Sequence, residues 1–342
     1  MDKLKKIGLT ALAGSLAAAT AAQAEVTWSG NATVTYMDDD SVNTSTKSLS
    51  NGNAIGQNTN VTFSNSGELE NGFTVSIVGY FNDADGTSVS STNMKLGMGD
   101  MGTIVFAEVA GTAANGIDDV LPTAYEEVWD ASTSNFHTFG AVTNSGSVEY
   151  QTPTVDFGGI SMSATAAYDP QGGVKNRDHD AVTAAGGTYQ SGRAYTVKFG
   201  WEGLTIGGGH ENVEGNTSTD PEYNSATGYA KYSMGPVTIG YQEVYVDSAA
   251  GAADYEGDGY GITFAVNDDL TVGYTVENVT KKEITGGNSA ATAAVEQENK
   301  GISASYTTGG MTFAIIQVDV DNAGYSSTTT GEHTEIALSF AF

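Results

Sequence analysis

The feature that most limits this chain is a period of two that recurs along nearly its whole length. Val26, Trp28, Gly30, Ala32, Val34 and Tyr36 hold the even positions of one stretch, with Thr27, Ser29, Asn31, Thr33 and Thr35 between them. That alternation gives a strand one apolar and one polar face. It returns in Phe73, Val75, Ile77 and Phe81, in Ile160, Met162, Ala164, Ala166 and Tyr168, and in Tyr195, Val197, Phe199 and Trp201. It returns again in Tyr260 to Val266, in Leu270 to Val276, and in the closing Ile336, Leu338, Phe340 and Phe342. Weaker segments lie near 58–66, 91–99, 102–109, 146–152, 204–212, 225–234, 236–246, 299–308 and 311–319. The total is about 16 strands, most of roughly 8–11 residues, close to the span of a tilted strand crossing a bilayer.

The connections sharpen this. Short ones fall at 67–72, 99–102, 153–158, 202–203, 234–236, 267–269 and 308–310. Long polar ones fall at 37–57, 82–90, 110–145, 169–192, 213–224, 247–258, 279–298 and 320–333, and the two kinds alternate strictly. A soluble β-sandwich also has one apolar and one polar face per strand, but it has no reason to keep every short connection on one side. Nor does it need aromatics at the ends of its apolar faces, as at Tyr36, Phe73, Phe81, Tyr168, Trp201 and Phe342. Aromatic girdles at two membrane interfaces explain that placement. The expected fold is all-β: a 16-stranded antiparallel transmembrane β-barrel with short periplasmic turns and long extracellular loops.

Residues 1–24 carry Lys3, Lys5 and Lys6, then an uncharged run from Ile7 to Ala22, then Ala22-Gln23-Ala24. This layout predicts a signal peptide cleaved after Ala24, with residues 25–342 forming the barrel. The leader takes three Lys and one Asp with it, so the remaining 318 residues carry a net charge of −30. Such charge excludes duplex nucleic acid as a partner, which needs clustered cations. The absence of Cys removes disulfides and thiolate chemistry. Enzyme readings find no support: His137, His179, His210 and His333 are far apart, and no zinc, nucleophile-elbow or phosphate-loop motif occurs. The 44 glycines read as strand and turn residues. On the apolar parity, Arg193 reads as a rim residue that can snorkel. Glu243 shares parity with Val237, Ile239, Tyr241 and Tyr245, and a bulge, a rim position or a subunit contact would each accommodate it.

Three stretches add a family likeness: Asn65-Ser66-Gly67-Glu68-Leu69-Glu70-Asn71-Gly72-Phe73; Gly99-Asp100-Met101-Gly102-Thr103; and Gly146-Ser147-Val148-Glu149-Tyr150 leading to Pro153 and Phe157-Gly158-Gly159. With them, the chain resembles the general diffusion porins of Gram-negative bacteria, of the alphaproteobacterial type. The resemblance implies a homotrimer in the outer membrane, a third extracellular loop folded into the lumen, and passive diffusion of small hydrophilic solutes and ions. It further implies lipopolysaccharide and the outer-membrane assembly machinery as partners, with Phe342 as the carboxy-terminal assembly signal. The chain departs from the family at Glu108 and Glu149, where many relatives carry basic residues, so the usual arginine wall of the constriction is in doubt.

The longest connection, 110–145, is the third long one and takes the place of the constriction loop. It holds Asp118, Asp119, Glu126, Glu127 and Asp130 and no Lys or Arg. Lys95, Lys198 and Lys231 fall on lumen parity as counter-charges, and Glu149 and Glu277 add negative charge there. An acidic ring favours cations, so mild cation selectivity is expected. Asp118, Asp119, Glu126 and Glu127 are also candidate Ca²⁺ ligands, since that ion gathers several oxygens; no other cofactor is implied. Two alternatives stay open. A substrate-selective channel would show a run of aromatics on its path; aromatics of that parity occur, Tyr80 and Tyr229 among them, but they form no run. A non-transporting surface β-protein such as an adhesin would pass no current.

Overall fold

The computed structural model describes residues 26–43, 54–82, 89–107, 115–131, 136, 146–170, 189–215, 222–248, 253–283 and 294–342. The expected signal peptide and Glu108 lie outside them. The strands are β1 (Thr27–Asn43), β2 (Ala54–Glu68), β3 (Thr74–Asn82), β4 (Val89–Gly97), β5 (Thr103–Ala107), β6 (Ser147–Gln151), β7 (Val155–Phe157), β8 (Ile160–Asp169) and β9 (Tyr189–Trp201). They continue as β10 (Leu204–Gly215), β11 (Tyr223–Met234), β12 (Val237–Ser248), β13 (Ala253–Ala265), β14 (Leu270–Glu283), β15 (Val295–Thr308), β16 (Met311–Asp321) and β17 (Thr329–Ala341). β6 and β7 both pair with β8 and form one stave, interrupted at Thr152-Pro153-Thr154, where a proline cannot donate to the ladder. The result is a closed antiparallel barrel of 16 staves, as the periodicity predicts.

Closure comes from β1 and β17, in register from Asn31↔Ala341 to Asn43↔Thr329. Phe342 completes the seam: Gly30 N–H donates to its carbonyl at 2.9 Å, and its own N–H donates to Gly30 O at 3.0 Å. Both termini of the ladder therefore lie at the end that carries the tight turns. The two-residue turn between β9 and β10 is one of these, with Glu202 at φ 41° and Gly203 at φ 87°.

The apolar parity faces outward. Trp28, Ile77, Phe106, Phe199, Ile206, Ile239, Ile262, Val272, Ile302 and Phe313 are all exposed on the outer wall. Toward the loop end this belt stops at a row of tyrosines, including Tyr36, Tyr168, Tyr195, Tyr241, Tyr260 and Tyr274. Above that row the outer wall turns acidic. Glu243 pairs with Asp258, Asp258 with Asn278, Asn278 with Glu298, and Glu298 with Asp321, all on outward parity. Lys300 sits among them, donating to Glu298 at 2.7 Å and Asp321 at 3.0 Å.

This settles Glu243. The register of β11, β12 and β13 runs through it without a bulge. It stands next above Tyr241, whose hydroxyl donates to Glu243 Oε1 at 2.8 Å, so it belongs to the polar rim. Arg193 is likewise outward and half-exposed, 3.7 Å from Glu214.

The strands are longer than the sequence pattern predicts. β1 has 17 residues, β2 has 15, and β14 and β15 have 14 each. The connection expected at 247–258 shrinks, because β12 runs to Ser248 and β13 starts at Ala253. Above the tyrosine row both faces meet water, so the ladder continues after the alternation has ended.

The outer wall yields a test. Ile262→Lys, inside the apolar belt, should cost about 2–4 kcal/mol of stability in lipid vesicles. Asp258→Lys, above the belt, should stay within about 0.5 kcal/mol of the parent. Reversible denaturant unfolding measures both, and equal costs would remove the assignment of the belt to lipid.

A candidate constriction in the lumen

Residues 115–131, beyond β5 in the chain, lie inside the barrel and cross its inner wall as a strap. Together with Phe136 they are the described part of the 110–145 connection, and they hold two short 3₁₀ turns, Asn115–Ile117 and Val128–Ala131. Three small apolar cores fix its underside. Ile117 packs with Ala167, Ala194, Val213 and Tyr229. Leu121 and Phe136 pack with Val244 and Val279. Val128 packs with Ile316, Val318 and Val320. The strap thus touches staves from β8 round to β17, and these valines and isoleucines are inward residues that water does not reach.

Polar contacts complete the attachment. Gln242 of β12 is fully buried; its Oε1 accepts the Val120 N–H at 2.9 Å, and its amide donates to Ile117 O at 3.1 Å and Asp118 O at 3.0 Å. Thr275 of β14 donates to Pro122 O at 3.1 Å, and Ser303 of β15 accepts the Ala124 N–H at 3.1 Å. Tyr125 donates to Glu335 of β17 at 2.6 Å. Behind Glu335, His333 contacts Asp39 of β1, so this polar chain reaches across the seam.

The wall makes room for the strap with glycines. A Cβ at Gly240 would lie 2.5 Å from Pro122 Cδ, and one at Gly261 would lie 2.5 Å from Pro122 O. At Gly273 it would lie 2.9 Å from Ala124 N, and at Gly301 2.7 Å from Val128 Cγ1. All four have inward parity on neighbouring strands, β12 to β15.

The expected site residues divide. Asp118, Asp119, Glu126 and Glu127 do lie on the strap, partly exposed to the lumen. Asp130 falls in the second 3₁₀ turn, its side chain outside the described residues. Asp119 Oδ2 accepts the Trp129 indole N–H at 2.8 Å, and its Oδ1 accepts the Leu121 N–H at 3.2 Å. Asp118 Oδ1 accepts the Asp119 N–H at 2.9 Å. Burial pushes the Asp119 carboxyl up to about 7, and Glu127 adds to it. Asp118 is pushed up to about 6, again chiefly by burial. The Tyr125 hydroxyl is also raised, by burial and by its bond to Glu335.

Glu149 and Glu277 are inward as expected but nearly fully buried, and Glu149 accepts the Gln151 amide at 2.7 Å. They do not line open water. Lys95, Lys198 and Lys231 are inward, and no salt bridge joins them to a carboxylate among the described residues. Lys231 stands opposite Gly240, beside the seat of Pro122; Lys95 alone of the three is on the wall facing the strap. That wall, β1 to β6, presents Thr33, Asn60, Thr62, Ser76 and Tyr80 inward, and Lys95 is its one cation among the described residues. As for Ca²⁺, no group of three or more acidic, His or Cys side chains able to hold a metal occurs among the described residues.

Sequence reasoning missed Gln242, Tyr125, Glu335 and the glycine seat. Parity alone could have flagged Gln242 as inward, but not what it holds.

Comparisons with known proteins follow the same lines. A family model described as Gram-negative porin matches residues 8–323. No curated protein sequence matches the chain. Among solved structures, Salmonella typhi OmpF in complex with daunomycin superposes with a TM-score of 0.65 at 14% identity, over 94% of this chain and 98% of that one. The trimer form of Vibrio cholerae OmpT gives 0.64 at 11%, over 94% and 100%. An anion-selective porin from Comamonas acidovorans gives 0.62 at 11%, over 94% and 100%. At these identities the likeness is one of fold.

The raised carboxyls give a pH prediction. Both folded values lie above the ordinary 3.8, so protonation favours the seated strap, and that contribution is lost as pH rises through about 6 to 7. Acrylamide should therefore quench Trp129 fluorescence more at pH 8 than at pH 5, while Trp28 and Trp201 on the outer wall give a constant background. Asp119→Asn should flatten the difference; a variant with the parental pH dependence would contradict it.

Proposed function

The chain belongs to the Gram-negative porin family, and on that premise we propose an outer-membrane channel for passive diffusion of small hydrophilic solutes, with a preference for cations. The barrel and the family place it in the outer membrane as a porin. The preference rests on one observation: the lumen is narrowed by a strap with five acidic and no basic residues between 115 and 131, facing a wall of Asn, Ser and Thr.

Charge on one side of a water-filled constriction sets the local potential. Carboxylates lower the energy of a cation there and raise that of an anion. Opposed arginines would turn such a site into a transverse field; here the described part of the facing wall offers Lys95 alone. Glu149 stands on that side too, but it is buried and accepts the Gln151 amide, so it does not line the water-filled path. Fold cannot decide the sign, since a relative of the same architecture is described as anion-selective. The sign has to come from side chains at the narrowing.

We also propose export with removal of residues 1–24, and assembly as a homotrimer. A tripartite leader supports the first; for the second, OmpT of the same fold is described in a trimer form. The substrate-selective reading gets no support from Tyr229, which is buried against Ile117 rather than exposed to the path.

Reversal potentials across a planar bilayer with a KCl gradient test the selectivity. Cation preference is expected at pH 8, falling as pH drops to 5 and Asp118 and Asp119 take up protons. Glu127→Gln with Asp118→Asn should weaken it at pH 8. Anion preference in the parent would overturn the proposal.

A further inference from the structure

Attachment and clearance of the strap are fixed by different residues. Gln242, Thr275 and Ser303 draw it toward the wall through hydrogen bonds. What stops it is contact with the wall backbone at Gly240, Gly261, Gly273 and Gly301. We infer that these four glycines, with Gln242 as the clamp, set how far residues 120–128 stand into the lumen and thereby the size cut-off of the channel. This rests on the channel reading above and goes beyond it, from which ions are favoured to what fixes the aperture.

The geometry gives the direction of the effect. Carbon atoms settle at about 3.5–4.0 Å, so a methyl placed 2.5 Å from a strap atom requires about 1 Å of movement. At Gly261 and Gly273 the atoms met first are the strap's own backbone, Pro122 O and Ala124 N, which no rotamer change can remove. Each wall strand is hydrogen-bonded to a neighbour on both sides, so the wall is the stiffer partner. An added side chain on inward parity therefore moves the strap toward the axis and narrows the path. The reverse holds for the clamp: without the three bonds of Gln242 to Val120, Ile117 and Asp118, that end of the strap is released.

Gly228 supplies a control. It has outward parity on β11, and a Cβ there would meet nothing within 4 Å.

The test compares single-channel conductance in KCl and the exclusion limit for a size series of polyethylene glycols, on chains whose gel migration with and without heating shows a folded barrel. Gly240→Ala, Gly261→Ala and Gly273→Ala should each lower conductance and cut-off, Gly261→Val more than Gly261→Ala, with Gly228→Ala unchanged. In Gly240→Ala the clash is with the Pro122 ring, so adding Pro122→Ala should restore the parental conductance. Gln242→Leu should act oppositely, giving a larger and noisier current; it also serves if a glycine variant does not fold. Folded glycine variants with parental conductance and cut-off overturn the inference, as does a Gly240→Ala loss that Pro122→Ala leaves in place. A Gln242→Leu channel identical to the parent overturns it too. Parental protein that passes no current defeats the channel reading itself and the inference with it, so the two failures are distinguishable.

Discussion

Everything in this molecule depends on a ladder with no free edge. In hydrocarbon an unpaired backbone N–H or C=O has no water to turn to, and each costs several kcal/mol. Pairing β1 with β17, and fastening Phe342 to Gly30 from both sides, removes the last open edge. Once the sheet is closed, strand side chains have two destinations, lipid outside or lumen inside. The two-residue period follows from that division. A low aliphatic content follows as well, because at most alternate residues need to be apolar.

Closure also creates the problem that the strap solves. A ring of 16 staves encloses more space than its own side chains fill. A segment brought inside needs its own supports, and the three apolar cores under Ile117, Leu121 and Val128 supply them on one arc of the wall. Inward valines such as Val318 and Val320 depart from a polar lumen face where the strap covers them. The glycines of β12 to β15 belong to the same arrangement: side chains are absent where the strap's backbone lies closest.

Much of this was legible in the sequence, and the illegible part has a physical cause. Trp28-Gly30-Ala32-Val34 reads as a strand because lipid and water see opposite faces. Asp38-Asp39-Asp40 does not, although β1 continues through it to Asn43, because above the tyrosine row neither face needs to be apolar. Glu243 looked anomalous for the same reason: its height on the barrel depends on strand tilt and register with Asp258, which a single strand's parity does not contain. The acidic strap was readable from its place in the order of loops. Its seat was not, since a glycine that admits a neighbouring backbone is written with the same letter as one that forms a turn. Glu149 and Glu277 were placed on the correct face, yet facing inward is not the same as meeting water.

One consequence ties aperture to selectivity. The strap must press against the wall to be fixed, and pressing desolvates the carboxylates nearest its supports. Asp119 lies between Ile117 and Leu121, two residues that sit in the cores, and its carboxyl rises to about 7 as a result. It is then partly neutral at the pH where its charge would act on passing ions. Glu126 and Glu127 lie between the anchored Tyr125 and Val128 and, like the two aspartates, keep a share of exposure. A tighter seat therefore gives a better-defined opening with fewer full charges on it, and a looser seat gives the reverse.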